Sequence, residues 1–496
     1  MRKLLLASAA AMGASMSLVG MASAQTAPAL PPGPLSGSFV TAPYAGPGAN
    51  NNNNYQGYML PGAIANPTPG SFVVHLNAAS WFYLSVEGSS ADKVNPGNTG
   101  IPSNGSFKVA PYNALQYFRL YPGVDAMATN GLRYGASTEI RENWSAQSYN
   151  AASPGAAAGS ALNSNSNPSS GFTCTQTLYV RRAFIYFAAD RVGIVRLGQG
   201  DDVTGSFDNG VTTFQNFSTG GWNSDVATPI PSSVSVIFPW LSQQGADYGS
   251  NKVVYFSPQF AGFDFGLSWA PNNVNGEDQC SAAGSSCAEL SSSTTLADGA
   301  RWMNHFEAGA RYQGTIGPVA IYGMAAYVGS GHVDYTGAPP AEALGSHWNG
   351  KYNNISAADV GIALTVGGLT FGGHYLGGQL NNTNSTNPQG APQAQGWLVG
   401  LQYATGPYVV GVDYYNYQDQ GAPTLTNVSQ RYSDAFDVGG TWNAAPGLYF
   451  YAEYVWGQQH QGGFNFLTGA VNGSPGSNLE NTTQAQAFVL GTKVRW

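Results

Sequence analysis

The chain has 496 residues and a formal net charge of −8, with only 9% charged residues, 12% aromatics and 65 glycines. An acidic chain without a basic patch is a poor nucleic-acid binder, because phosphate neutralisation needs clustered cations. The charge content is far below the roughly one quarter of an ordinary soluble domain. After the N-terminus no run reaches the roughly 18 uninterrupted apolar residues that a transmembrane helix needs.

The first residues read as an export signal. Met1–Lys3 carry positive charge, Leu4–Val19 are small and apolar, and Ala22-Ser23-Ala24 forms a cleavage site before Gln25. Residues 1–24 are expected to be removed, and the loss of Arg2 and Lys3 takes the charge from −8 to −10. Residues 25–70 are rich in Pro, Gly, Ala and Asn, with the run Asn50–Asn54. That composition cannot bury a core and predicts a flexible stretch.

From 71 to 496 the pattern becomes segments of about ten residues alternating apolar and polar, the signature of a transmembrane β-barrel. Phe263, Phe265, Leu267 and Trp269 alternate with Asp264, Gly266 and Ser268. Val360, Ile362, Leu364 and Val366 follow Asp359 and alternate with Gly361, Ala363 and Thr365. The same period of two runs through Trp397–Tyr403, Tyr408–Tyr414, Leu448–Trp456 and Phe488–Trp496. Short links such as Asp190-Arg191, Ile316-Gly317, Gly367-Gly368 and Thr405-Gly406 alternate with long ones such as 89–112, 144–175, 201–250 and 271–302. The spacing predicts about sixteen strands, an even number, with short periplasmic turns and long outer loops.

One set of each strand is apolar, and the interleaved set carries the charges. A soluble sandwich shows the reverse, with an apolar core and a charged surface. In lipid every backbone N–H and C=O must pair internally, so a spanning β structure must be a closed barrel. At about 16 strands such a barrel leaves an aqueous channel. The Tyr and Trp at strand ends, among them Trp397, Trp442, Trp456 and Trp496, are in phase with the lipid-facing set and read as interfacial girdles.

Three stretches resemble the general diffusion porins of Gram-negative bacteria, most closely the alphaproteobacterial type. Arg181-Arg182-Ala183-Phe184 leads through a tight turn into Gly193-Ile194-Val195-Arg196-Leu197-Gly198-Gln199. Phe207-Asp208-Asn209-Gly210 lies in the long loop that follows, and a terminal strand ends at Trp496 where porins usually end in Phe. The resemblance implies an outer-membrane homotrimer of sixteen-stranded barrels passing small hydrophilic solutes and ions. It also implies that the third outer loop, here about 201–250, folds inward and narrows the pore.

A pore selects by width and by fixed charge. The expected constriction loop contains Asp201, Asp202, Asp208, Asp225 and Asp247 and no Lys or Arg. Arg119, Arg133, Arg141, Arg196 and Arg311 have the inward phase of their strands, and Glu139 and Glu307 share it. A lipid-facing Arg at mid-depth costs about 2–4 kcal/mol, which favours the lumen. The expected arrangement is an acidic loop facing a basic wall, with turn capping as the competing role for each Asp. Arg181 and Arg182 are adjacent, so strict alternation sends them to opposite faces and leaves open which one meets the lumen.

Other chemistries find little support. Cys280 and Cys287 are placed for a local disulfide, which leaves Cys174 over. The six His are dispersed, without C-x-x-C or H-E-x-x-H spacing, and no metal or cofactor is expected. A substrate-specific sugar channel would need a continuous inward aromatic track, and only Tyr449 and Tyr451 stand out. An outer-membrane hydrolase would need Ser, His and an acidic partner in register; His374 is inward by phase and reads as a solvated lumen side chain.

Overall fold

The computed structural model describes residues 60–63, 67–91, 111–143, 177–208, 249–272, 302–335, 351–381, 385–422, 430–471 and 476–496, with short pieces between them, including 222, 227, 229–231 and 233–240. The expected leader 1–24, Asp225, Asp247, Cys174, Cys280 and Cys287 lie outside the described residues.

Sixteen strands close into one antiparallel barrel. They are β1 (Ser71–Ser89), β2 (Tyr112–Met127), β3 (Arg133–Asn143), β4 (Thr177–Ala189), β5 (Gly193–Gln199), β6 (Asn251–Phe256), β7 (Phe263–Asn272) and β8 (Trp302–Ile316). There follow β9 (Val319–His332), β10 (Ser356–Val366), β11 (Leu369–Gln379), β12 (Ala394–Thr405), β13 (Tyr408–Asp419), β14 (Arg431–Ala445), β15 (Leu448–His460) and β16 (Thr482–Arg495). Each strand pairs with its neighbours in sequence, and β16 pairs with β1 from Ala79↔Arg495 to Ser89↔Ala485. Closure satisfies the backbone groups that an open edge would leave bare in lipid.

The alternation in sequence becomes an alternation of burial. On β7, Phe265 is 51% exposed and its neighbour Asp264 only 2%. On β10, Val360 is 46% exposed and Asp359 is fully buried. Trp397, Trp442 and Trp496 stand on the exposed outer face, and Tyr449 and Tyr451 are buried on the inner one. The core of the molecule is therefore the enclosed side of the ring, where charged and aromatic side chains meet.

The tight turns are written in glycine. Gly367 and Gly368 link β10 to β11 with φ of 55° and 87°. Two consecutive positive φ values make a primed hairpin turn, whose twist matches that of the flanking strands.

Order begins before the first strand. Leu60 and Ala63, within the stretch expected to be flexible, are buried. Gly62 lies so close to the inward side chains of β1 that a Cβ there would meet Asn77 and His75. The composition of 25–70 does not announce this anchor among its described residues.

Candidate functional site

The link from β5 to β6 enters the barrel. Its helix α1 (Val203–Asp208) has every residue buried. Two glycines make room for it. Gly266 on β7 and Gly309 on β8 are register partners, and a Cβ on either would come within 2.9 or 3.0 Å of Val203 Cγ1. Phe207 packs on Phe256 with ring centroids 5.6 Å apart, and its carbonyl accepts from the Tyr322 hydroxyl at 3.0 Å.

The helix N-terminus is capped twice. Asp202 Oδ1 accepts from Val203 N at 3.0 Å, and Glu307 Oε2, reaching in from β8, accepts from Thr204 N at 2.6 Å. These carboxylates satisfy donors that a helix start leaves open and sit at the positive end of its dipole.

Further along, the same loop lies against the other side of the ring. The Tyr415 hydroxyl on β13 donates to Ile237 O at 3.0 Å, and Gln459 on β15 donates to Ser233 O at 3.2 Å. Trp222 Nε1 donates to Trp456 O at 3.3 Å. Trp240 stacks on His374 of β11 at 4.6 Å. The described parts of the loop thus touch both β6–β9 and β11–β15.

The structure places all five expected arginines on the inward phase of their strands, four of them buried and Arg141 partly so. Arg196 lies between the rings of Phe184 and Phe256, at 5.2 and 4.9 Å, and donates to Asp201 O at 2.5 Å and to Ser206 Oγ at 3.3 Å. Arg311 pairs with Asp264 and stands 4.9 Å over Phe207. Arg119 lies 4.7 Å over Trp81, which also stacks on Tyr117. Arg133 pairs with Asp190 beside the short turn after β4.

Arg141 pairs with Glu139, and here the adjacent arginines are resolved. In the β3–β4 ladder Glu139 faces Arg182 while Ile140 faces Val180, so Arg181 is the extra residue of a bulge. A bulge resets the alternation, and both Arg181 and Arg182 turn inward. They reach Glu139 Oε2 at 3.3 and 3.4 Å, and Arg182 also holds Asp201 Oδ1 at 2.9 Å.

The sequence expectation is an acidic loop facing a basic wall, and three of its five aspartates are among the described residues. The described loop carboxylates touch the wall. Asp201 pairs with Arg182, Asp202 with Lys252 Nζ at 3.2 Å, and Asp208 with His374 Nδ1 at 3.3 Å. Burial opposes the charged form of Asp202, but Lys252 and His305 outweigh it and hold the carboxyl well below its ordinary range. A loop drawn into a low-dielectric interior brings its anions into contact with cations, since an unpaired buried charge is costly.

Carboxylates facing the basic strands come instead from the far wall. Asp413 on β13, Asp437 on β14 and Glu453 on β15 are all buried on the inward phase. Asp413 and Asp437 are direct register partners. In a ring of sixteen, β13 stands eight strands from β5, directly across from Arg196. In the sequence these residues are marked by alternation alone.

The histidines also depart from the sequence expectation. His374 is not solvated: it lies between Asp359 and Asp208 under Trp240. His305 lies between Asp202 Oδ2, 3.5 Å from Nδ1, and Glu307 Oε1, 3.9 Å from Nε2. Asp202, His305 and Glu307 thus gather potential metal-ligand atoms within 4.8 Å of one another, although the six His are scattered in sequence. The two carboxylates face different ring nitrogens, and Lys252 already occupies the side of Asp202, so the group is built as a chain of ion pairs rather than a chelate.

A chain that turns its apolar side chains outward and encloses its charges in a closed strand ring has the polarity of a membrane channel, not of a soluble enzyme. The comparisons agree. The chain belongs to the Gram-negative porin family, whose model matches residues 78–460. It is therefore an outer-membrane protein that forms a water-filled channel for passive diffusion of small hydrophilic solutes and ions. Neither a sugar-specific channel nor a hydrolase is favoured.

Similar solved structures include the anion-selective porin from Comamonas acidovorans, with 14% identity over 86% of this chain and 100% of that one and a TM-score of 0.46. A porin variant of Rh. blastica has 14% identity, the same coverages and a TM-score of 0.41. OmpT of Vibrio cholerae has 12% identity over 86% of this chain and 98% of that one, with a TM-score of 0.44. A sequence comparison with curated proteins finds no significant match.

Proposed function

We propose that the segment 201–250 sets the narrowest passage of this channel and that charge on two opposing walls tunes which ions pass. The basic wall is Arg119, Arg133, Arg141, Arg196 and Arg311, extended by Arg181 and Arg182. The acidic wall is Asp413, Asp437 and Glu453. Asp201, Asp202, Asp208, Glu139 and Glu307 fasten the loop and its surroundings rather than stand free in the passage. The observation that carries this reading is the loop's double attachment, by α1 to one side of the barrel and by Ser233, Ile237 and Trp240 to the other. Opposite charges on facing walls make a transverse field, which favours polar solutes and ordered water over apolar solutes.

In this reading residues 1–24 are removed on export, the mature chain assembles as a homotrimer, and it has no catalytic activity or cofactor. The test is planar-bilayer recording of the purified protein in plain salt with graded uncharged solutes. Stepwise conductance with a sharp size limit is expected, and deleting 210–240 should raise that limit. A size limit unmoved by the deletion, in a barrel shown to be folded, would refute the constriction.

A further inference from the structure

We propose that His305 and His374 are positioning residues that pin the two ends of α1, each by bridging a carboxylate of the loop to a carboxylate of the wall, and that loss of the His374 proton releases the helix. The proposal rests on the reading that this loop narrows the passage.

The two sites repeat one design. At the start of α1, His305 faces Asp202 of the loop with Nδ1 and Glu307 of β8 with Nε2. At its end, His374 faces Asp208 of the loop with Nδ1 and Asp359 of β10 with Nε2. Both rings are nearly sealed, at 1% and 3% exposure. Each is also covered by an indole, Trp302 at 4.6 Å on His305 and Trp240 at 4.6 Å on His374.

A neutral imidazole has one N–H and one lone pair. Placed between two carboxylates, it donates to one and points its lone pair at the other. Only the imidazolium can serve both. The surrounding charges fit that state. Around His305 stand Asp202, Glu307 and, on the far side of Asp202, Lys252 of β6. The ring's register partner on β7 is the uncharged Ala270. Around His374 stand Asp208 and Asp359, with Tyr322, Arg311 and Asp264 beyond Asp208; its register partners are Gly361 on β10 and Leu398 on β12.

Deprotonation of His374 therefore turns one contact at the end of α1 from attraction to repulsion. That titration contributes up to about a tenfold change per pH unit in the ratio of released to pinned helix. The pinned form is held at low pH and lost as pH rises through the titration.

The test is single-channel recording of the full-length protein from pH 5 to pH 10. Wild type is expected to be quiet at low pH and to gain conductance and open-channel noise reversibly as pH rises. The double variant His305→Gln with His374→Gln should show the alkaline behaviour already at pH 6 and a flat profile. A wild-type profile flat across the range, or a variant that keeps the wild-type profile, overturns the pins but leaves the channel intact. No current from verified inserted barrels would overturn the constriction reading itself. Should the double variant not fold, His374→Gln alone decides the matter. Its conductance and noise at pH 6 should match those of wild type at pH 9; a single variant that keeps the wild-type profile refutes the release.

Discussion

Replacing Glu139 by Gln tests whether the basic wall depends on its buried counter-charge. Glu139 is 1% exposed and pairs with Arg141, Arg181 and Arg182, none of which is more than 14% exposed in its side chain. Glutamine keeps the shape and removes the charge, leaving three guanidinium groups without their shared anion. Breaking a buried ion pair by deleting one partner costs about 3–5 kcal/mol. Here the upper part of that range applies to the barrel's folded state, because the arginines also repel one another once the carboxylate is gone. Arg182 retains Asp201, which limits the loss. The assay is the fraction of compact, unheated barrel on a denaturing gel after equilibration in increasing guanidinium. The midpoint should fall clearly for Glu139→Gln and recover in part when Arg181→Met is added, since that removes one orphaned cation. A midpoint equal to wild type, or a double variant whose losses simply add, would refute the reasoning.

Other perturbations address the loop and the walls separately. Gly266→Ala together with Gly309→Ala places methyl groups within 2.9 and 3.0 Å of Val203; overpacking of about 1–3 kcal/mol should displace α1 and raise channel noise, and unchanged recordings would show that the groove is not needed. Asp437→Asn with Glu453→Gln should lower the cation-to-anion permeability ratio, read as a shifted reversal potential in a salt gradient. Arg196→Glu should move the same ratio upward and also unsettle α1, because Arg196 donates to Asp201 and Ser206; an unshifted potential would take Arg196 out of the wall.

The barrel was legible because a period of two is enforced at every strand by lipid on one side and charge on the other. Val360 to Val366 and Phe263 to Trp269 spell out their faces unaided. Arg181-Arg182 marked the limit of that rule: two adjacent charges cannot both obey alternation, and the bulge opposite Glu139 is how the strand accommodates them. The ion-pair partners were hidden for a different reason. Asp202, Lys252, His305 and Glu307 meet only because a loop more than fifty residues upstream of β8 is folded back onto β6 and β8, and nothing local in sequence encodes that approach. The loop's acidity is plain in its composition, but the partners of its carboxylates follow only from the register of the wall.

The pairing of β16 with β1 has a kinetic side. Ala78 and Trp496 exchange both backbone hydrogen bonds, at 3.0 Å each, across more than four hundred residues of chain. The ring therefore cannot shut until its last strand has crossed the inner membrane and found the first, and every earlier intermediate carries two bare strand edges. Such long-range closure is intrinsically slow and exposes sticky surface while it waits. Whatever escorts this polypeptide through the periplasm must cover those two edges, and shortening the chain by a single terminal strand should turn an assembling barrel into a substrate for proteases.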